Sequence, residues 1–172
     1  MSSGWWEEAE RYLRHDVAPR AAEIDADSEA LRTALEGLAE RDLLAVRRPE
    51  SFGGPGASEM EFRRFQEEVA RASGALAFLQ TQHQSAVSMI AKSHNEALKA
   101  AYLPGMSNGD KRVGIGFSQL RRPGPPMVTA TPEGSGYRIN GHVPWVTGLT
   151  FFPEFMIAGS MPDGRAVFGI VP

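Results

Sequence analysis

The chain has 172 residues, of which 42% are hydrophobic and 23% charged, and its formal net charge is -3. This is the composition of a globular protein, and the slightly negative charge excludes the basic footprint of a nucleic-acid-binding protein. Cysteine is absent, which excludes disulfides, thiolate catalysis and cysteine ligands for a metal. The N-terminus lacks the features of a signal peptide and no apolar run approaches transmembrane length, so we expect a cytoplasmic protein with no membrane partner.

The first two thirds of the chain have the apolar spacing of amphipathic helices. The predicted helices cover about 5–19, 29–41, 58–73, 75–92 and 93–104. Between the second and third, the segment 47–56 contains three glycines and two prolines, which predicts a structured loop.

Two of these helices are expected to begin with a capping box, in which a serine is followed three residues later by a glutamate. The pairs are Ser58 with Glu61 and Ser93 with Glu96. The buried stripe predicted for the helix after Ser58 comprises Met60, Phe62, Phe65 and Val69.

After Asp110 the apolar pattern changes to the period of two that is typical of strands. The predicted strands cover 113–117, 137–139, 143–147, 155–158 and 166–171. Helices followed by strands indicate an α+β chain, with an N-terminal all-helical domain over 1–109 and an incomplete antiparallel β-barrel-like domain over 110–172. Because a strong strand ends the sequence, we expect this β domain to be truncated.

The stretch from Gly141 to Gly148 carries the first candidate site. In a strand, Trp145 and Thr147 would face the same side of the sheet. Such a face offers a flat apolar wall and one hydroxyl, which suits a planar heteroaromatic ligand. The same pattern also fits a tryptophan and a threonine that pack on a core, and the stretch alone leaves both interpretations open.

The order of these pieces resembles the acyl-CoA dehydrogenase family over nearly the whole chain. The segment 49–56, Pro-Glu-Ser-Phe-Gly-Gly-Pro-Gly, is similar to the family's Pro-Glu-x-(Tyr/Phe)-Gly-Gly-x-Gly loop. The segment 67–73 resembles its Glu-x-Ala-Arg-x-(Ser/Asp) helix. The segment 137–147 is similar to its strand that ends in Trp-(Ile/Val)-(Thr/Ser).

The resemblance implies a function and a cofactor. Members of the family bind FAD, oxidise an acyl-CoA thioester to its α,β-enoyl form and pass electrons to a carrier such as an electron-transfer flavoprotein. This role belongs to fatty acid metabolism, and a homo- or hetero-oligomer is expected. By the same resemblance, the flavin ring is held by two segments, with the cofactor-binding residues Phe117, Ser118, Trp145 and Thr147.

The resemblance does not supply catalytic residues. In the family a carboxylate of the C-terminal helical domain removes the α-proton, and that domain is not expected in this chain. We therefore assign no catalytic base and expect the fragment alone to be inactive. The residues His15, His83, His94 and His142 have no metal-ligand spacing, and we expect each to be a surface or locally bonded histidine.

One loop departs from the family pattern. Where the family has Glu-Pro-x-x-Gly-Ser-Asp, this chain has Gln119 followed by Leu-Arg-Arg-Pro-Gly-Pro-Pro. The family's thioester-binding residues therefore have no counterpart here, and the substrate-binding residues stay unassigned. Arg121 and Arg122 are either solvated loop charges or bidentate donors to phosphates of FAD or CoA.

Two other functions remain open at this point. The loss of Gly-Ser-Asp also suits a flavin monooxygenase or a nitroalkane-oxidase-like enzyme on the same fold. A short β domain also suits a non-catalytic or split subunit that packs on a partner.

Overall fold

The computed structural model describes residues 4–172, which form two compact units, one ending at Arg112 and the other formed by Val113–Pro172. The first unit is helical. Its α-helices are α1 (Gly4–Tyr12), α2 (Ala21–Ala26), α3 (Ser28–Ala39), α4 (Glu59–Ala72), α5 (Gly74–Lys92) and α6 (Glu96–Tyr102). None of the helices within residues 4–172 combines the length and apolar content needed to cross a membrane.

The first predicted helix is interrupted. α1 ends at Tyr12 and continues as a π-helical turn, Leu13–Val17, and a 3₁₀ turn, Ala18–Arg20. Pro19 lies at the start of the 3₁₀ turn. Because proline has no N–H and its ring crowds the preceding turn, the α-helical ladder cannot run through it.

The helix starts follow local capping chemistry. The capping box of Ser58 and Glu61 is confirmed, with the hydroxyl and the carboxylate each accepting from the other residue's backbone N–H. The second predicted box is wrong, because Asn95 caps α6 by accepting from Leu98 N at 3.0 Å. The Ser93 hydroxyl instead accepts from the N–H of Asn95. Asparagine is as favourable an N-cap residue as serine, and Asn95 directly precedes the helix.

The predicted stripe of α4 is correct at Phe65 and Val69, which are fully buried, and wrong at Met60, which is 73% exposed. Met60 and Phe65 are five positions apart in the sequence, which places them about 140° apart around the helix axis. Phe62 lies between these extremes, half-buried beneath the Arg47 guanidinium, whose carbon lies 4.6 Å from the ring centre.

Two buried polar side chains of α5 form hydrogen bonds with backbone carbonyls of neighbouring segments. Gln84 Nε2 donates to the carbonyl of Leu43 at 2.9 Å, and His83 Nε2 lies 2.9 Å from the carbonyl oxygen of Met106. A carbonyl only accepts, so Nε2 of His83 carries the proton. Both side chains are buried, and the prediction of a locally bonded His83 is confirmed.

The second unit is a five-stranded, half-barrel sheet. Its strands are β1 (Val113–Gly116), β2 (Val128–Glu133), β3 (Gly136–Gly141), β4 (Glu154–Ser160) and β5 (Ala166–Val171). β4 pairs with β1 and β2 in parallel and with β5 antiparallel, while β2 and β3 form an antiparallel hairpin. The α+β fold class is confirmed, but the sheet is mixed and not antiparallel as predicted. Parallel pairing is possible because β4 follows β1 only after a long connection that contains β2 and β3.

Two strand assignments differ from the sequence pattern. The segment 143–147 is irregular, because Pro144 cannot donate to a ladder and Gly148 adopts a positive φ of 81°. β2 was not predicted, since its residues Val-Thr-Ala-Thr-Pro-Glu include a proline and few large apolar side chains.

Candidate functional site

Trp145 and Thr147 lie on the loop between β3 and β4. The indole N–H of Trp145 donates to Thr147 Oγ1 at 3.1 Å, so the two side chains share one side, as predicted, although no strand imposes it. Trp145 is 63% exposed, and Thr147 is half-buried. Because Oγ1 accepts the indole proton, the hydroxyl's own proton is left to donate away from the indole.

Phe117 and Ser118 follow the end of β1. The Phe117 ring meets the Phe168 ring edge to face, with centroids 5.4 Å apart and planes at 86°. Ser118 begins the 3₁₀ turn Ser118–Arg121 and is exposed. Its side-chain hydroxyl has no hydrogen-bond partner within residues 4–172.

The structure brings these two segments together at Gly116, the last residue of β1. A Cβ on Gly116 would lie 3.0 Å from Val146 Cγ2 and 3.4 Å from Val143 Cγ1. Val146 is the residue between Trp145 and Thr147. The loop that carries the indole and its bonded hydroxyl therefore rests on the strand end that leads into Phe117 and Ser118.

The site is uncharged, since none of its four residues titrates near neutral pH. The nearest cationic residues in the sequence are Arg121 and Arg122, both exposed and without an ion pair inside the described part of the chain. Among residues 4–172 there is no group of three or more histidine or acidic side chains that could hold a metal ion. The arrangement therefore offers hydroxyl donors and an aromatic face, which suit a neutral planar ligand.

Sequence reasoning assigned no role to Gln119, which departs from the family motif in this region. Gln119 is only 5% exposed, and its Nε2 donates to the backbone carbonyl of Ala158 in β4 at 3.0 Å. Strand alternation does not predict its inward direction, because Gln119 lies in the 3₁₀ turn Ser118–Arg121.

Residues 4–110, more than half of the chain, match the family model for the acyl-CoA dehydrogenase N-terminal domain. The chain belongs to the acyl-CoA dehydrogenase family. The resemblance inferred from the sequence motifs is thereby confirmed.

Curated relatives and a solved structure agree with this assignment. The chain is 30% identical over 144 residues to mitochondrial isovaleryl-CoA dehydrogenase of Pongo abelii, covering 80% of this chain and 34% of that protein. It is 30% identical over 164 residues to benzylmalonyl-CoA dehydrogenase of Aromatoleum aromaticum, covering 87% and 41% respectively. The crystal structure of a Bacillus anthracis acyl-CoA dehydrogenase complexed with FAD superposes with a TM-score of 0.75 at 23% identity, covering 97% of this chain and 30% of that one.

The matches cover most of this chain but only part of each relative. This acyl-CoA dehydrogenase family chain spans about a third of the length of the first curated relatives that it matches. The likeness to the solved structure, at its low identity, shows the shared fold.

Proposed function

We propose that this chain supplies the flavin-ring portion of an FAD-dependent, acyl-CoA dehydrogenase-type oxidoreductase. The ring-binding residues of the proposal are Phe117, Ser118, Trp145 and Thr147. The observation that carries it is the contact at Gly116, by which the Trp145 loop and the Ser118 strand end adjoin in one unit.

The residues present fit a flavin ring. An isoalloxazine is planar and has heteroatoms along one edge, so it needs a flat apolar surface beside hydrogen-bond donors. The exposed indole of Trp145 is such a surface. The hydroxyls of Ser118 and Thr147 are donors with protons that no partner within residues 4–172 accepts.

Each residue has a defined task in the proposal. Ser118 and Thr147 donate to the heteroatom edge of the ring and fix its orientation, while Trp145 covers one face and excludes water from it. Phe117, anchored edge to face on Phe168, sets the position of the strand end. Bound FAD would supply the acceptor for the hydride, which carries both of the electrons that an acyl thioester loses on α,β-dehydrogenation.

The base is not among these residues. No carboxylate within residues 4–172 forms a hydrogen bond or an ion pair with any of these four residues. In the proposal, a group outside this chain removes the α-proton. The acyl-CoA substrate, the electron carrier and the oligomeric state likewise belong to the proposal.

The visible absorption spectrum of the purified chain tests this function, measured after addition of FAD and gel filtration. We expect a retained flavin band that is lost in the double variant Trp145→Ala with Thr147→Ala. The matched control is Tyr137→Ala with Thr131→Ala, which removes an exposed aromatic residue and a threonine from the same sheet. A folded wild-type chain that retains no flavin, or a band that both double variants keep, would contradict the proposal.

A further inference from the structure

Gln119 occupies a gap in the sheet. β5 pairs with β4 along Phe155–Ser160, so β1 and β2 must both use the other edge of β4. β1 is paired as far as Ile157, and β2 pairs at Ser160. The backbone of Ala158 and Gly159 therefore falls between the two strands.

The amide of Gln119 fills this gap. β1 ends at Gly116, because Phe117 has left the extended conformation, with φ -138° and ψ 23°. If β1 continued, a backbone N–H of the strand would donate to β4 at this point. In its place, the side-chain N–H of Gln119 donates to Ala158 O at 3.0 Å, and the side chain is buried.

Both neighbours of Ser118 in the sequence have side chains that contact the sheet, whereas Ser118 itself is exposed. Phe117 is held on one side by the Phe168 ring of β5, and Gln119 on the other side by Ala158 of β4. The hydroxyl of Ser118 between them is exposed and has no hydrogen-bond partner within the described chain. Two anchors flanking one free hydroxyl fix the place of that hydroxyl on the sheet.

We infer that Gln119 is a positioning residue, which holds the Ser118 hydroxyl in place for the cofactor ring. This inference rests on the proposed function. The anchor depends on a donor, because a backbone carbonyl can only accept. The other polar atom of the side chain, Oε1, is buried with no partner in the described residues, so the N–H alone supplies the hold.

Two measurements on the 172-residue chain test the inference together. The first is amide hydrogen exchange of residues 118–122, which needs no cofactor. We expect faster exchange in Gln119→Met than in the wild type, with Thr131→Val, an exposed change on β2, as the unaffected control. Unchanged exchange would overturn the inference whatever the variant does to FAD.

The second measurement is the affinity for FAD, followed by quenching of flavin fluorescence. Gln119→Met is expected to weaken binding about five- to tenfold, as for a displaced hydrogen bond. In a Ser118→Ala background the same change is expected to have less than about a twofold effect, because a residue that acts through Ser118 has nothing left to position. Equal effects in both backgrounds would overturn the inference and leave Gln119 a structural residue.

A third variant, Gln119→Glu, tests the need for a donor. An ionised carboxylate cannot donate to Ala158 O, whereas the protonated acid can. Exchange at residues 118–122 in this variant should therefore slow toward the wild-type pattern as the pH falls through the pKa of the new carboxyl, and a pH profile parallel to the wild type would count against the anchor. If no form of the chain binds FAD while these exchange results hold, the proposed function fails and the anchor stands.

Discussion

The indole N–H of Trp145 donates to the hydroxyl oxygen of Thr147, with 3.1 Å between Nε1 and Oγ1, although the two residues lie on an irregular loop. The bond uses the acceptor side of the hydroxyl, so its proton is free to donate to a bound ligand. We therefore expect Trp145→Phe, which keeps an aromatic ring but removes the N–H, to lower FAD affinity about three- to tenfold, or about 1 kcal/mol.

Titration of flavin fluorescence measures this change. In a Thr147→Val background, Trp145→Phe should weaken binding much less, since the bond is already gone. Leu149→Ala, an exposed change two residues beyond Thr147, serves as the control. Identical affinities of Trp145→Phe and the wild type would show that the bond does not orient the hydroxyl for the ring.

The site shows what a sequence pattern can and cannot give. The spacing of Trp145 and Thr147 correctly placed them on one side, but the reason given, a strand, was wrong because of Pro144 and Gly148. The approach of their loop to Gly116 depends on non-local packing, which a period of two does not encode. Gln119 was recognised as a departure from the family motif, whereas its bond to Ala158 follows from where β1 stops.

The fold shows the same division. Local chemistry predicted the Ser58 capping box and the buried side chains of Phe65 and Val69. It failed where two local signals competed, as at Asn95, whose amide caps α6 in place of Ser93. It also failed for the parallel pairings of β4, because parallel partners are distant in sequence and leave no hairpin turn to recognise.

A close contact between Gly37 and Tyr12 gives a stability prediction. A Cβ on Gly37 of α3 would lie 2.8 Å from Tyr12 Cε2 and overlap the phenol oxygen, which donates to Ala34 O at 2.9 Å. Although alanine usually favours a helix by about 1 kcal/mol over glycine, we expect Gly37→Ala to destabilise the first unit by about 1–3 kcal/mol. Urea unfolding followed by the fluorescence of Trp5 and Trp6 in α1 measures it.

The control for this prediction removes the obstacle. In a Tyr12→Leu background the phenol is gone, so Gly37→Ala should become neutral or stabilising. A loss of the same size in both backgrounds would place the cost of the substitution somewhere other than the ring of Tyr12.

Burial of the Tyr12 phenol raises its pKa from 10.0 to about 12, and the nearby Arg41 guanidinium, 4.2 Å from the ring centre, opposes part of this shift. The unfolded chain loses the phenol proton near pH 10, whereas the folded chain keeps it. The contribution of Tyr12 to stability is therefore complete below pH 10 and is lost as the pH rises toward 12. We expect the free energy of unfolding to fall more steeply between these values in the wild type than in Tyr12→Phe, and parallel curves would contradict the assignment.

An ion pair within the first unit gives the opposite pH dependence. The two terminal guanidinium nitrogens of Arg112, Nη1 and Nη2, donate to the carboxylate of Glu36, 76 residues earlier in the chain. These hydrogen bonds hold the pKa of Glu36 below its usual value of 4.5, against the opposing effect of burial, and they raise the pKa of Arg112. Since the pKa of Glu36 is lower in the folded state, its contribution is present above pH 4.5 and is lost as the pH falls through the folded value.

Glu36→Gln should therefore lower the stability of the first unit at pH 7 by less than about 1 kcal/mol, because the side chain of Glu36 is 42% exposed. Its stability should also fall less than that of the wild type as the pH drops below 4.5, because the wild type then loses the pair. The measurement is urea unfolding at each pH, with Glu7→Gln on the exposed surface of α1 as a charge-matched control. If Glu36→Gln and Glu7→Gln gave the same acid profile, the pair would contribute nothing to the folded state, and the link between α3 and the end of the first unit would rest on packing alone.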